Sequence, residues 1–253
     1  MRHTSEYENG GRGPMSRLTH CLLCGVGLFL VLFSHPLLAA DNKSPEASLE
    51  RGAEVFVERC VLCHGNDGMG EGVLPLNVST YPDTNLAVPR FAKTLQEVRD
   101  AVFWGGYKSD MSELSPPWGN ELTCAQLESV SLFVQTLREE TPKALALLED
   151  AEAAHRAVKV NGALVYQNRC ALCHGAQGDG TGKMARVITS PPPFDLTKSI
   201  MPQAYLEMII NQGGAELGRS GQMPPWSETL SKEEVAAVID YIVTLREPVI
   251  AQQ

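Results

Sequence analysis

The residues best placed to do chemistry are four cysteines and two histidines set in one pattern twice. Cys60-Val61-Leu62-Cys63-His64 returns as Cys170-Ala171-Leu172-Cys173-His174, 110 positions later (170 − 60). C-x-x-C-H is the attachment sequence of c-type haem: two thiols three positions apart reach the two vinyl groups of one porphyrin and form thioethers. The following imidazole is then set on one face of the ring, where it takes an axial position on iron. On this reading Cys60, Cys63, Cys170 and Cys173 bind two covalent haems, and His64 and His174 ligate their irons. An isolated histidine would read as a hydrogen-bonded surface or core residue, and His155 is read that way. A shared zinc site would need cysteine and histidine ligands around one metal, whereas each copy carries its own full set. A redox C-x-x-C would need alternating strands and helices, which are absent from the pattern. The glycines at 68, 70, 72, 178, 180 and 182 follow these segments rather than a strand, so they read as turn glycines and not as a nucleotide loop.

The repeat extends well beyond the cysteines. Residues 52–65 lie over 162–175, and Gly105-Gly106 followed by Pro116-Pro117-Trp118 matches Gly213-Gly214 followed by Pro224-Pro225-Trp226. Phe133 to Arg138 resembles Tyr241 to Arg246. A period near 110 is too long for a solenoid unit and suits two duplicated globular domains. Such small domains are marginal on their own cores, and a covalently held porphyrin would supply the missing apolar surface.

The elements that must position these groups read as helices joined by long irregular loops. Residues 46–59 and 158–169 have helical composition leading into the cysteines, with Gly-rich and then Pro-rich loops after them. A second helix is expected over 94–104 and over 202–212, each stopped by a glycine pair. The last helix of each copy opens on a capping box, Thr123 with Gln126 and Ser231 with Glu234. Leu127, Val130, Val134 and Leu137 form one apolar stripe, and Val235, Val238, Ile242 and Leu245 the other. No strand pattern is evident. Residues 141–155 are Ala/Leu/Glu-rich and predict a linker helix opened at Pro142. The organisation expected is a leader at 1–40, a domain at 41–140, a linker at 141–157 and a domain at 158–253.

Arg17, the apolar run 21–33 and the small residues Ala39-Ala40 form the layout of a secretory signal, with Met15 a possible true start and cleavage after Ala40. A retained membrane anchor is the competing reading, although Ser34, His35 and Pro36 leave the run short of the roughly 20 residues a spanning helix needs. Residues 41–253 carry 18 Lys+Arg against 28 Asp+Glu, net −10, once the leader's three Arg and two Glu are taken from the chain totals of 21 and 30. That field argues against nucleic acid and anionic lipid and favours partners with a basic docking face. Cys124, outside both motifs, is expected as a small buried residue in the first turn of a helix.

Helix, C-x-x-C-H, loop, helix, Pro loop and terminal helix, in that order and twice over 45–248, resemble the class I cytochrome c family. The resemblance implies an all-α fold: two tandem domains, each wrapped around one covalent haem c. It also implies that the first and last helices cross at a Gly and an aromatic, here Gly52 with Phe133 and Gly162 with Tyr241.

In that family the sixth iron ligand is usually a Met from the loop before the terminal helix, and His/Met ligation raises the reduction potential. Met223, in Gln222-Met223-Pro224-Pro225-Trp226, matches this position in the second domain, against the alternative of a packing Met. The first domain departs from the pattern, because gap-free alignment puts Ser115 there. Met111 is the expected ligand, with Met69, Lys108 or no protein ligand as the alternatives.

The expectation is a periplasmic di-haem cytochrome c, or one on the outer face of the cytoplasmic membrane. It would pass single electrons between redox partners as a free carrier or as a subunit of an oxidoreductase complex, without being an enzyme itself. The membrane enters only if the leader is retained. The rival reading is a first haem with an open sixth position that binds small molecules.

Overall fold

The computed structural model describes residues 46–74, 81–90, 92–107, 111–157 and 160–247. The leader and its expected cleavage site lie outside these, and among the described residues no helix is long and apolar enough to cross a membrane. Among the described residues there are α-helices and no strands.

In the first half these are α1 (Leu49–Arg59), α2 (Val61–His64), α3 (Leu95–Trp104), α4 (Cys124–Glu139) and α5 (Thr141–Ala157). In the second they are α6 (Gly162–Arg169), α7 (Ala171–His174), α8 (Gln203–Glu216) and α9 (Lys232–Thr244). Helix starts follow local chemistry. The Ser48 hydroxyl caps α1 and the Asn161 side chain caps α6, each accepting backbone N–H bonds of the first turn. Both expected capping boxes form, at α4 and α9, and a third joins Thr94 to Glu97 at the start of α3. Gly105, at φ 58°, stops α3, as the glycine pair predicts. Gly213, at φ 77°, instead kinks α8, which resumes for one more turn to Glu216.

The first and last helices of each copy cross with almost no gap. A Cβ at Gly52 would meet the Ser129 carbonyl and stand 2.7 Å from Phe133 Cβ; one at Gly162 would meet the Ala237 carbonyl and stand 3.2 Å from Tyr241 Cβ. Only glycine lets the backbones approach this closely. Behind each crossing an aromatic pair fills the core, Phe56 with Phe133 and Tyr166 with Tyr241, both with ring centroids 5.3 Å apart. The predicted stripes of α4 and α9 point inward, and Leu245 packs against the second core just past the end of its helix. The linker helix α5 is present but is not a free spacer. Its Ala144, Leu148 and Ala151 are buried in the first core against α1 and α4. Cys124 is exposed as the first residue of α4 and not buried, because at that position the helix's apolar stripe has not yet begun.

Candidate haem sites

Each C-x-x-C-H segment folds as one short helical turn, parted from the helix before it by a single residue, Cys60 or Cys170. The amides of Cys63 and His64 donate to the Cys60 carbonyl (3.2 and 3.0 Å), and those of Cys173 and His174 to the Cys170 carbonyl (3.1 and 2.9 Å). Gly65 and Gly175, at φ 76° and 81°, then turn the chain away. Both sulfurs and the imidazole of each motif thus issue from a single turn, so the sequence pattern becomes a rigid triad of groups.

The imidazoles are held alike. His64 Nδ1 donates to the Thr84 carbonyl at 2.6 Å, and His174 Nδ1 to the Phe194 carbonyl at 3.0 Å. A carbonyl can only accept, so Nδ1 carries the proton and Nε2 keeps its lone pair for a metal. Burial pushes both histidines below their ordinary range, the carbonyl contact opposing it, so each favours the neutral, ligating form. Burial pushes the thiols of Cys60, Cys170 and Cys173 up to about 12 and raises Cys63 as well. The Thr84 hydroxyl adds a bond to the Cys63 carbonyl at 2.6 Å, tying the supporting loop to the motif it serves.

In the second domain the triad opens onto an apolar crevice of ≈ 510 Å³. Cys170, Cys173 and His174 line it together with Met223, Pro224 and Trp226. A neutral imidazole, a soft thioether and apolar walls suit an iron porphyrin, and Arg169 at the lining suits its carboxylates. The lining also includes Leu62 and Leu74 from the first domain. Leu62 lies between Cys60 and Cys63, so the first attachment segment is itself part of the second crevice.

The loop ahead of the terminal helix closes with matching backbone hydrogen bonds in both copies. Gly214 N–H donates to the Met223 carbonyl and Gly106 N–H to the Ser115 carbonyl, each at 2.9 Å. Met223 N–H reaches back to Ser220 at 3.2 Å, as Ser115 N–H does to Ser112 at 2.9 Å. Trp226 N–H bonds Ile210 and Trp118 N–H bonds Val102. Ser115 therefore takes the place of Met223 bond for bond. Met111 precedes Ser112 where Arg219 precedes Ser220, and it is half-buried. Met69 is half-buried in the Gly-rich loop, and Lys108 lies outside the described residues.

The sequence reading did not anticipate the supporting carbonyls or the interdomain contacts. A signal existed for the first: the two carbonyls stand 20 residues after their histidines (84 − 64 and 194 − 174). The next residue in each copy, Asn85 or Asp195, accepts from the amide two positions on.

Comparison with known proteins agrees with this arrangement. Residues 49–138 match the family described as Cytochrome c, and residues 157–242 match Cytochrome C oxidase, cbb3-type, subunit III. The chain is a di-haem c-type cytochrome of two tandem all-α domains, with two covalently bound haem c groups. Among similar proteins, the cbb3-type cytochrome c oxidase subunit FixP of Azorhizobium caulinodans is 27% identical over 214 residues, 81% of this chain and 63% of that one. The subunits named CcoP of Azospirillum sp. and Cereibacter sphaeroides are 25% and 26% identical over 77% and 81% of this chain. The chain spans 61% and 63% of those two relatives' lengths.

Proposed function

We propose that this chain relays single electrons through its two haems, as a carrier or as the electron-transfer subunit of an oxidase complex of the kind its relatives are named for. The observation that carries the reading is the lining of the second crevice by Leu62 of the first attachment segment, which brings the two haem sites together. In this reading Cys60 and Cys63 hold the first haem, Cys170 and Cys173 the second, and His64 and His174 ligate the irons. Bound haem supplies the one-electron iron couple. The protein holds each imidazole in one tautomer, excludes water from the crevice and fixes the distance between the sites. Met223 completes the second iron's coordination.

We place the working domains, 41–140 and 158–253, on the outer side of the cytoplasmic membrane, behind the leader at 1–40. The acidic exported part, net −10, would dock on a basic partner face, and association should weaken with salt. The test is stopped-flow oxidation of the reduced protein by membranes containing a cbb3-type oxidase. Fast, salt-sensitive oxidation supports the reading, and oxidation no faster than in oxidase-free membranes would refute it.

For the first haem, His64 and Met111 are the iron ligands in this reading. The matching register of Ser115 and Met223 favours a second reading, in which no methionine fills the sixth position and a small molecule binds there. Carbon monoxide taken up by the reduced protein at one haem per chain supports the second reading; no uptake supports a protein ligand, and loss of the methionine–iron absorption in M111A then assigns it to Met111.

A further inference from the structure

One side chain of the second domain grips the sixth-ligand loop of the first. Lys183 Nζ donates to the Pro117 carbonyl at 2.5 Å, pairs with Glu121 Oε1 at 2.9 Å and stands 4.0 Å from the centroid of the Trp118 ring. Pro117 and Trp118 follow directly on Ser115-Pro116, the segment that stands where Met223-Pro224 stands in the second copy. A cation over indole gains further when water is excluded, and Lys183 is largely shielded.

The other end of this contact is just as firmly anchored. Lys183 opens a short 3-10 turn, Lys183–Arg186, immediately after Gly182. A Cβ at Gly182 would stand 2.5 Å from both the Leu172 carbonyl and the Cys173 carbon. The backbone bearing Lys183 is therefore pressed onto the C-x-x-C-H turn of the second haem. The contact is one-way, since Val73 occupies the equivalent position 110 residues earlier (183 − 110) and offers no cation. The two copies differ accordingly: Trp226 is buried in its own domain, whereas Trp118 is only partly covered and takes Lys183 as part of its cover.

We propose that Lys183 is a positioning residue for the first haem, holding its distal loop from the attachment turn of the second and so coupling the two haem sites. The proposal rests on the reading above that the Ser115-Pro116-Pro117-Trp118 loop covers the distal face of the haem held by His64. Lys183 touches neither iron. It acts by fixing how far that loop stands from the ring, which sets the first haem's ligation, solvent access and potential.

The test compares holoprotein carrying K183M, K183R or E121Q with the parent chain. Methionine keeps an unbranched apolar stem and removes the cation. Redox titration with optical detection of each haem is the main readout, and it applies whether or not the first iron has a methionine ligand. K183M should shift the first haem's spectrum and potential while the methionine–iron absorption of the second is unchanged. K183R should restore most of the parent values, and E121Q, which leaves the Pro117 and Trp118 contacts in place, should shift them in the same direction but less. Two haems per chain with first-haem spectrum and potential unaltered in both K183M and E121Q would overturn the proposal. A parent chain lacking haem at Cys60 and Cys63 would overturn the reading beneath it, and the proposal with it.

Discussion

Arg59 and Arg169 reach across the domain interface to each other's helices. Arg59 Nη1 donates to the Gln167 carbonyl at 3.4 Å and to Asn168 Oδ1 at 2.5 Å, and Arg169 Nη1 donates to the Val57 carbonyl at 3.1 Å. Donors and acceptors are both 110 positions apart (169 − 59 and 167 − 57), so the contact is reciprocal, as between the halves of a symmetric dimer. Each arginine directly precedes a haem cysteine and meets the last turn of the opposite helix, where free carbonyls and the helix dipole favour a cation. The repeat thus places the two attachment turns face to face by the same residues that introduce them.

Removing one arm of this exchange should loosen the interface. A hydrogen bond from a charged donor contributes about 1.5–3 kcal/mol, and R169Q should cost stability in that range by urea unfolding. The R59Q/R169Q pair should cost less than the sum of the two, since parting the domains breaks both bonds at once. Strict additivity would mean that the two contacts are independent.

The helix crossings are less forgiving. G162A would drive a methyl into the Ala237 carbonyl beside Tyr241, and overpacking of this kind costs about 1–3 kcal/mol. Thermal unfolding followed at the haem absorption should show a clear loss for G162A and for G52A. A midpoint equal to that of the parent would contradict the crossing geometry.

Acid should act on the second haem's support before the first's. Hydrogen bonds from Lys198 and Thr197 hold the Asp195 carboxyl below its ordinary range, and Asp195 orders the turn directly after Phe194, the residue that accepts from His174. A depressed carboxylate contributes stability that is complete above its unfolded value and lost as pH falls through the folded one. The loss should therefore fall below about pH 3.8, the ordinary value. The first domain has the uncharged Asn85 at this place. An acid titration of the holoprotein should show the second haem's spectrum moving first, and D195N should abolish the difference.

The register of the sixth-ligand loops predicts a gain of function. S115M puts a thioether where Met223 offers one, so the oxidised variant should gain one methionine–iron charge-transfer absorption per chain and bind no carbon monoxide. If Met111 already ligates, the parent shows two such absorptions, M111A removes one, and S115M adds none.

Much of this molecule is legible in its residues because local rules act on contiguous segments. The C-x-x-C-H turns, the capping boxes at Thr123 and Ser231, and the stripes of α4 and α9 each depend on residues within a few positions. The Gly52 and Gly162 crossings follow from the family resemblance and the repeat. The carbonyls of Thr84 and Phe194 leave no mark on their own residue types, and only the shared spacing from each histidine and the Asn85 or Asp195 that follows pointed to them. Arg59 and Arg169 stood in plain view within the repeat, but their reach across to Gln167 and Val57 depends on how the halves dock. Lys183 breaks the repeat, so duplication could not point to it. The kink at Gly213 and the exposure of Cys124 likewise depend on the surrounding packing.

The central claim is that each C-x-x-C-H turn carries one covalent haem. The most direct test is the intact mass of the chain from a haem-maturing host, alone and with C60A/C63A or C170A/C173A. The account predicts two haem additions in the parent and one in either double variant, each keeping the optical signature of the haem that remains. A parent mass with one haem or none would contradict it.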